Sequence, residues 1–255
     1  MTAEAYDWDK IVGGLNEYLR LRSIPIGMKL FATVEEMEAI PKIRRPKAKH
    51  TTDQIVAQAR QLGWTVGVTM ADLVGPQCGG LHPQDDEWLS GKTMARVWFK
   101  TVEDSAAHQR AMDCVPYGRY RAMAVSPLTS GRLDPPDVCL IYGTPGQMIL
   151  FINGLQWTGY KKLSFTSVGE SACADSWGKA LKTGEPALTI PCYAERRCGG
   201  VADDELLMAI PPRFLSGAIA GLAALSRNGL RYPIPPFGIQ SDAAAGLAVS
   251  YPNRK

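Results

Sequence analysis

The chain has 255 residues, of which 45% are hydrophobic and 21% are charged. These values are typical of a globular protein and exclude a disordered or collagen-like chain. The net charge of +3 gives no reason to expect a nucleic-acid partner. We find no secretory signal and no apolar stretch long enough to span a bilayer, so we expect a cytoplasmic protein without a membrane segment. In that compartment its six cysteines stay reduced.

Hydrophobic periodicity predicts alternating helices and strands in the first half of the chain. A helix over residues 7–22, capped by Asp7, precedes a strand over 24–32 that places Lys29 on the face opposite its aliphatic residues. The elements that follow are a helix over 51–63, a strand over 64–70, a glycine-rich and proline-rich loop over 72–88, an irregular helix over 93–112 and a strand over 119–128.

The second half continues this alternation and ends in a proline-containing tail. Its predicted elements are strands over 137–143, 162–168, 187–192 and 205–211, helices over 145–159, 172–184 and 212–229, and an extended tail over 231–255. No long polar linker divides the chain. We therefore predict one domain over residues 1–255, with an α/β or α+β fold in which helices flank a mixed sheet.

Common catalytic and nucleotide-binding motifs are missing from the sequence. It contains no glycine-rich dinucleotide loop, no phosphate-binding P-loop, no GxSxG, no HExxH and no CxxC. His82 follows Cys78 by four residues, which permits a cysteine–histidine dyad but does not specify one. A histidine exposed in a surface loop is the more economical interpretation.

Three cysteines stand at positions where ligands often bind. Cys78 lies in the glycine-rich loop, Cys173 opens a predicted helix, and Cys192 ends a predicted strand. Cys198 follows in the loop after Cys192, and two arginines lie between them. Dispersed loop cysteines can hold an iron–sulfur cluster without a CxxC motif. By contrast, Cys139 lies within an apolar strand, and we expect it to be a core residue.

The sequence resembles the uncharacterised prokaryotic family known as domain of unknown function 169, also called the ArCR group. The resemblance is carried by the strand SIPIGMKLF, the loop VTMADLVGPQCGG and the long stretches over residues 135–159 and 169–222. It covers roughly residues 15–225 and implies a shared architecture without a known mechanism. It implies a lysine at Lys29, cysteines at Cys78 and Cys173, and a cysteine at Cys192 followed by an arginine. The extra Cys198 leaves open whether Arg196 or Arg197 is that arginine.

Three functional hypotheses follow from these residues. The first is a redox protein or enzyme that holds a [4Fe–4S] cluster through Cys78, Cys173 and Cys192 and acts on a small molecule. Cys198 is the candidate fourth ligand of that cluster. The second is a metal-free protein that binds a small organic acid through Lys29 and either Arg196 or Arg197. The third is an enzyme with Cys173 as nucleophile.

The sequence gives less information on two further residues and on oligomeric state. Cys114, in MDCVPYG, is more consistent with packing than with chemistry. The apolar segment 214–225 suits either the core or a face that joins two copies of the chain. We expect a small-molecule ligand and no nucleic-acid or membrane partner, and we leave self-association open.

Overall fold

Nine α-helices and six β-strands lie within the part of the chain that the computed structural model describes, residues 6–75, 77–236 and 238–239. The helices are α1 (Trp8–Leu19), α2 (Val34–Glu38), α3 (Thr52–Leu62), α4 (Asp86–Leu89), α5 (Val102–Ala111), α6 (Pro145–Gln156), α7 (Lys179–Thr183), α8 (Tyr193–Gly199) and α9 (Leu215–Arg227). The strands are β1 (Ile26–Phe31), β2 (Val66–Thr69), β3 (Ala122–Pro127), β4 (Val138–Gly143), β5 (Ala187–Thr189) and β6 (Leu206–Ile210).

The six strands form one open sheet in the order β2-β3-β1-β4-β6-β5. Every pairing between these strands is antiparallel, and the central β1 sets Met28 opposite both Val125 and Val138. The mixed helix-and-strand fold agrees with the sequence prediction. The purely antiparallel pairing differs from the mixed sheet that we expected, because hydrophobic periodicity reports burial and carries no information on strand direction.

Local sequence signals account for the ends of several helices. The Asp7 carboxylate accepts a hydrogen bond from the Lys10 N–H at 3.0 Å and caps α1. Thr51 and Gln54 form a reciprocal capping box at the start of α3. Gly63 ends α3 with a φ of 70°, a left-handed conformation that glycine adopts without a steric cost. The capping box between Thr51 and Gln54 fixes the start of α3.

Helices cover both faces of the sheet. Helices α1, α6 and α9 pack on one face in a core with Ile141, Met208 and Ile210. Helix α3 and the helical segment 172–183 pack on the other face, where the core includes Met28, Leu140 and Leu207. Of the cysteines proposed as ligands, Cys78 and Cys173 belong to this second core. The apolar segment 214–225 therefore contributes to the core through α9.

Several segments differ from the sequence prediction. The helix expected over residues 93–112 begins only at Val102, as α5. Residues 162–168 form no strand, and Phe165 within them is half exposed, so their alternating pattern is not matched by a partner strand. Residues 193–199, expected to be a loop, form α8 with Cys192 at its N-cap. Most of the predicted tail, residue 237 and residues 240–255, lies outside the described residues. Among those described, no helix has the length and apolar character needed to cross a membrane.

Close packing between α6 and α9 gives the first prediction. A Cβ at Gly221 would collide with the Gly154 carbonyl oxygen, whereas a Cβ at Gly217, on the same helix, meets nothing within 4 Å. Gly221→Ala is expected to lower the free energy of unfolding by about 1–3 kcal/mol through overpacking. Gly217→Ala should raise it by roughly 0.5–1 kcal/mol. Urea denaturation of both variants measures the difference, and equal effects would contradict this packing.

Candidate functional site

The sulfur atoms of Cys78 and Cys173 lie 3.1 Å apart, although the two residues are separated by 95 positions in the sequence. Cys78 is fully buried, and Cys173 is 7% exposed. Both are free thiols. A disulfide bond is about 2.05 Å long, so roughly 1 Å of movement would join the two sulfurs. The pair is therefore placed for thiol–disulfide chemistry.

Backbone contacts hold the Cys78 segment in position. The Val115 N–H donates a hydrogen bond to the Cys78 carbonyl at 2.8 Å. Gly80 has a φ of 68°, and a Cβ there would lie 2.7 Å from the Pro116 carbonyl oxygen. Glycine is thus required where this turn meets the chain that follows α5.

The segment that carries Cys173 is an irregular helix that begins close to the residues that follow α5. Residues Ala174–Gly178 form a π-helix, a conformation often found at functional sites. Gly178 lets this helix approach the Asp113 carbonyl oxygen so closely that any side chain would clash. The three segments that carry Cys78, Cys114 and Cys173 are consequently packed against one another.

Cys173 and Cys192 line one pocket of about 200 Å³, which we call the cysteine pocket. A single water needs only about 10–15 Å³ on the same measure, so the pocket has room for a small organic molecule. Its other walls come from the start of α3, the loop before Cys78, three residues between positions 88 and 112, the turn before Cys173 and the start of α8. Those residues are Thr51, Thr52, Asp53, Val74, Gly75, Gln77, Trp88, Met94, Met112, Glu170, Ser171 and Ala194.

Interactions among the thiols and with nearby carboxylates change the pKa values of the cysteines. Hydrogen bonds with Cys114 and Cys173, together with burial, raise the pKa of Cys78 well above its usual range. The hydrogen bond with Cys78 lowers the pKa of Cys173, but burial and the carboxylates of Asp53 and Glu195 outweigh it. Burial raises the pKa of Cys192 to about 12. Reduced thiols facing the pocket therefore carry their protons at neutral pH.

Two acidic side chains near the pocket also have shifted pKa values. Burial raises the pKa of Asp53, which lines the pocket, to about 6, and the charge of Glu170 adds to the shift. Burial raises the pKa of Glu195 to about 8, and the charge of Asp53 adds to that shift. Groups with such strongly shifted pKa values cluster at functional sites more often than elsewhere.

A buried ion pair lies behind these carboxyl groups. Arg60 donates a hydrogen bond to Glu205 at 3.0 Å, and both side chains are at most 5% exposed. The Arg60 guanidinium also stacks on the Tyr142 ring, 4.2 Å from its centroid. Arg60, Asp53 and Glu195 line one narrow gap, so a single guanidinium faces more than one acidic group. Because one guanidinium cannot neutralise several carboxylates, these contacts favour the protonated form of Glu195.

The structure brings together three of the four cysteines that the sequence singled out. Cys78 and Cys173 are in contact, and Cys192 shares the pocket wall with Cys173. Cys198 lies near the end of α8 and is not among the residues that line this pocket. Cys139 is fully buried in the core on the other face of the sheet, as its apolar strand predicted.

The basic residues proposed for an organic acid do not converge. Lys29 alternates along β1 with Met28 and Leu30, which pack on the α3 face, so Lys29 points to the opposite face and donates to the Pro135 carbonyl. Arg196 donates to the Ala202 carbonyl from α8, on the α3 face. Arg197, also on α8, donates to the Tyr193 hydroxyl. An organic-acid site built from Lys29 and either arginine has no support in this geometry.

The sulfurs of Cys78 and Cys173 lie closer together than ligands of different irons in a [4Fe–4S] cluster. Cysteines that hold different irons of a cluster are separated by that cluster, whereas the sulfurs of Cys78 and Cys173 touch each other. Within the described part of the chain, no group of three histidine, cysteine, aspartate or glutamate side chains is spaced to hold a metal ion. Cluster binding would require the thiols to move apart.

A family model described as uncharacterised ArCR, domain of unknown function 169, matches residues 14–220. The chain belongs to this family. No curated protein and no solved structure matches the chain. The family description assigns no function, so the chemistry of the site has to be argued from its residues.

Sequence reasoning missed several residues of the site. Asp53 and Glu195 stand in the first turns of α3 and α8, where acidic residues are common simply because they favour the helix dipole. Glu205 opens the strand predicted over 205–211, and Cys114 was interpreted as a packing residue. No local pattern separates these residues from ordinary caps and turns, because their environments depend on contacts between distant segments.

The raised pKa of Glu195 gives a prediction for stability. The pKa is about 8 in the folded protein and near 4.5 in an unfolded chain, so between these values the folded state holds a proton that the unfolded state has lost. The free energy of unfolding should therefore fall as pH rises through this window, by an amount on the order of a few kcal/mol. Glu195→Gln should flatten that slope in urea denaturation at several pH values.

The matched control for this prediction is Glu17→Gln on the exposed surface of α1. It should leave the slope as in the wild type, since this side chain is exposed to solvent and is not part of the buried cluster around Glu195. An unchanged slope in Glu195→Gln would show that the buried carboxyl is not protonated at neutral pH.

Proposed function

We propose that this protein is a thiol-based redox enzyme that reduces a small disulfide in the cysteine pocket, using Cys78 and Cys173 as its dithiol. The observation that carries the proposal is the 3.1 Å contact between the two sulfurs. Their unequal exposure supports it: Cys173 lines the pocket and is accessible to a small molecule, whereas Cys78 is fully buried beside it. Cys173 is therefore the attacking cysteine and Cys78 the resolving one.

The reaction consists of two thiol–disulfide exchanges. The Cys173 sulfur attacks one sulfur of the substrate, the substrate S–S bond breaks, and one half leaves as a thiol with the proton that Cys173 gave up. The Cys78 sulfur then attacks the Cys173 sulfur and releases the second half as a thiol with the Cys78 proton. The products are two small thiols and a Cys78–Cys173 disulfide, so the dithiol supplies both electrons.

The carboxylates of the pocket favour a positively charged substrate. Asp53 and Glu170 both line it, and the charge of Glu170 contributes to the raised pKa of Asp53. The two charges therefore act on the same space, and a cation between them would relieve their repulsion. Above pH 6 the Asp53 carboxylate is ionised, and because its charge acts on Cys173 we infer that it receives the proton from that thiol. We infer a small disulfide that bears an amino group.

Two disulfides of similar size and opposite charge test this proposal. Cystamine should oxidise the protein faster than 3,3′-dithiodipropionate, by at least roughly fivefold, since one charge pair at 4 Å is worth about 1 kcal/mol even in water. The rate should rise with pH beyond neutrality because the pKa of Cys173 is raised. Loss of free thiols with time, followed by peptide mapping, measures both the rate and the linkage.

Variants connect that result to individual residues. Cys173→Ser should lose the charge-dependent reaction with cystamine in the cysteine pocket, whereas Cys198→Ser, altered outside the pocket, should behave as the wild type. Glu170→Gln should reduce the preference for cystamine. A wild-type protein in which neither disulfide links Cys78 to Cys173 would contradict the proposal.

Iron–sulfur binding is the rival proposal, and the convergence of Cys78, Cys173 and Cys192 on one region favours it. Three cysteine ligands would leave one iron open to a small molecule. Anaerobic purification followed by visible absorption and by iron and sulfide analysis distinguishes the two. The dithiol enzyme is expected to be colourless, with two thiols that oxidise as a pair. Stoichiometric iron and sulfide, lost in Cys78→Ser and retained in Cys198→Ser, would favour the cluster instead.

A further inference from the structure

A third thiol interacts with the buried cysteine of the pair. The Cys78 sulfur contacts the Cys173 sulfur at 3.1 Å and also interacts with the Cys114 thiol, so Cys78 is the central thiol of three. Cys114 is half-buried and is not among the residues that line the cysteine pocket. The hydrogen bond from Val115 to the Cys78 carbonyl fixes the two segments together.

The chain beside Cys114 borders a second depression of about 460 Å³, which we call the basic groove. Its charged lining residues are Arg119, Asp137, Lys182 and Arg213. Val115 lines it as well, and Lys182 acts electrostatically on the Cys114 thiol. Three cations against one lining carboxylate make the groove attractive to an anion, although Lys182 also pairs with Asp113 at 2.7 Å.

The three thiols differ in how readily they ionise. The hydrogen bond with Cys78 lowers the pKa of Cys114, and the charge of Lys182 acts in the same direction, while burial and Asp113 oppose them. Of these three thiols, Cys114 alone has a lowered pKa. It is therefore the thiol that most readily becomes a nucleophile at neutral pH.

We propose that Cys114 is the third member of a cysteine relay, through which an anionic small thiol bound in the basic groove reduces the Cys78–Cys173 disulfide. This inference rests on the proposed function, because the relay returns to Cys78 and Cys173 the electrons that they donate to the disulfide substrate in the pocket. The relay separates the two half-reactions in space: a cationic disulfide is reduced on the acidic side, and an anionic thiol is oxidised on the basic side.

Each step of the relay is a balanced thiol–disulfide exchange. The Cys114 thiolate attacks the Cys78 sulfur, the Cys78–Cys173 bond breaks, and Cys173 leaves and takes up a proton. The external thiol then attacks the Cys114 sulfur and releases Cys78 as a thiol. A second external thiol attacks the outer sulfur of this mixed disulfide and frees Cys114. Overall, two external thiols become one disulfide, and Cys78 and Cys173 are again reduced.

Re-reduction of the oxidised protein tests the relay. The probes are 2-mercaptoethanesulfonate, which is anionic, and cysteamine, which is cationic, compared at equal thiolate concentration. The wild type should prefer the anionic thiol by roughly fivefold or more. Cys114→Ser, oxidised at Cys78 and Cys173, should be reduced more slowly by at least the order of tenfold, because attack by a neighbouring thiol is intramolecular. Arg119→Gln should weaken the preference for the anionic thiol.

A further variant tests the Cys114–Cys78 step without the pocket reaction. In Cys173→Ser, an added disulfide should react at Cys114 and leave a Cys78–Cys114 disulfide. If Cys173→Ser yields only a mixed disulfide at Cys114, the relay is wrong whether or not the wild type reduces cystamine.

Re-reduction of oxidised Cys114→Ser at the wild-type rate would also overturn the relay and would leave the proposed function standing. Failure of the wild type to join Cys78 and Cys173, with a normal Cys78–Cys114 linkage in Cys173→Ser, would overturn the proposed function alone.

Discussion

The approach of three chain segments to within touching distance is the constraint on which the site depends. Cys78 lies in a turn after β2, Cys114 follows α5, and Cys173 opens the π-helix. Glycines at positions 80 and 178 remove the side chains that would keep these segments apart, and the hydrogen bond from Val115 to the Cys78 carbonyl fixes their alignment. The antiparallel sheet and α3 form the rigid base under them, so the thiols are held together by packing and not by a covalent link.

The charges around the thiols are arranged unevenly. Asp53, Glu170 and the buried Glu195 lie on the side of the cysteine pocket, and their influence keeps the thiols there protonated. Arg119 and Lys182 line the basic groove together with Val115, the residue that follows Cys114. This polarity is the physical reason to assign different partners to the two sides. It also explains why Cys173, although accessible, stays a thiol until a bound substrate or a rise in pH removes its proton.

Much of the fold could be predicted from the sequence, because local signals decide it. The Asp7 cap, the Gly63 helix end and a strand within residues 24–32 all appear as expected. The strand expected over residues 162–168 does not form, because a pattern that suits a strand still needs a partner at the sheet edge. The direction of neighbouring strands could not be predicted either, because the alternation of residues along one strand does not reveal the direction of its neighbour.

The site was predicted in part. Cys78, Cys173 and Cys192 were singled out from their loop and helix-start positions, and the structure places them in one region. The role of Cys114 was missed, since MDCVPYG reads as a packed turn until the segment is seen against Cys78. Asp53 and Glu195 were missed because their environment, and not their identity, shifts their pKa values. Such environments arise from tertiary contacts that a single sequence does not report.

A crystal structure of the protein, grown and frozen anaerobically with data collected at the iron absorption edge, distinguishes the dithiol from a metal centre. We expect the sulfurs of Cys78 and Cys173 to be in contact with no anomalous scatterer between them. Sulfurs held apart around a strong iron signal would contradict the dithiol and would establish a metal centre in its place.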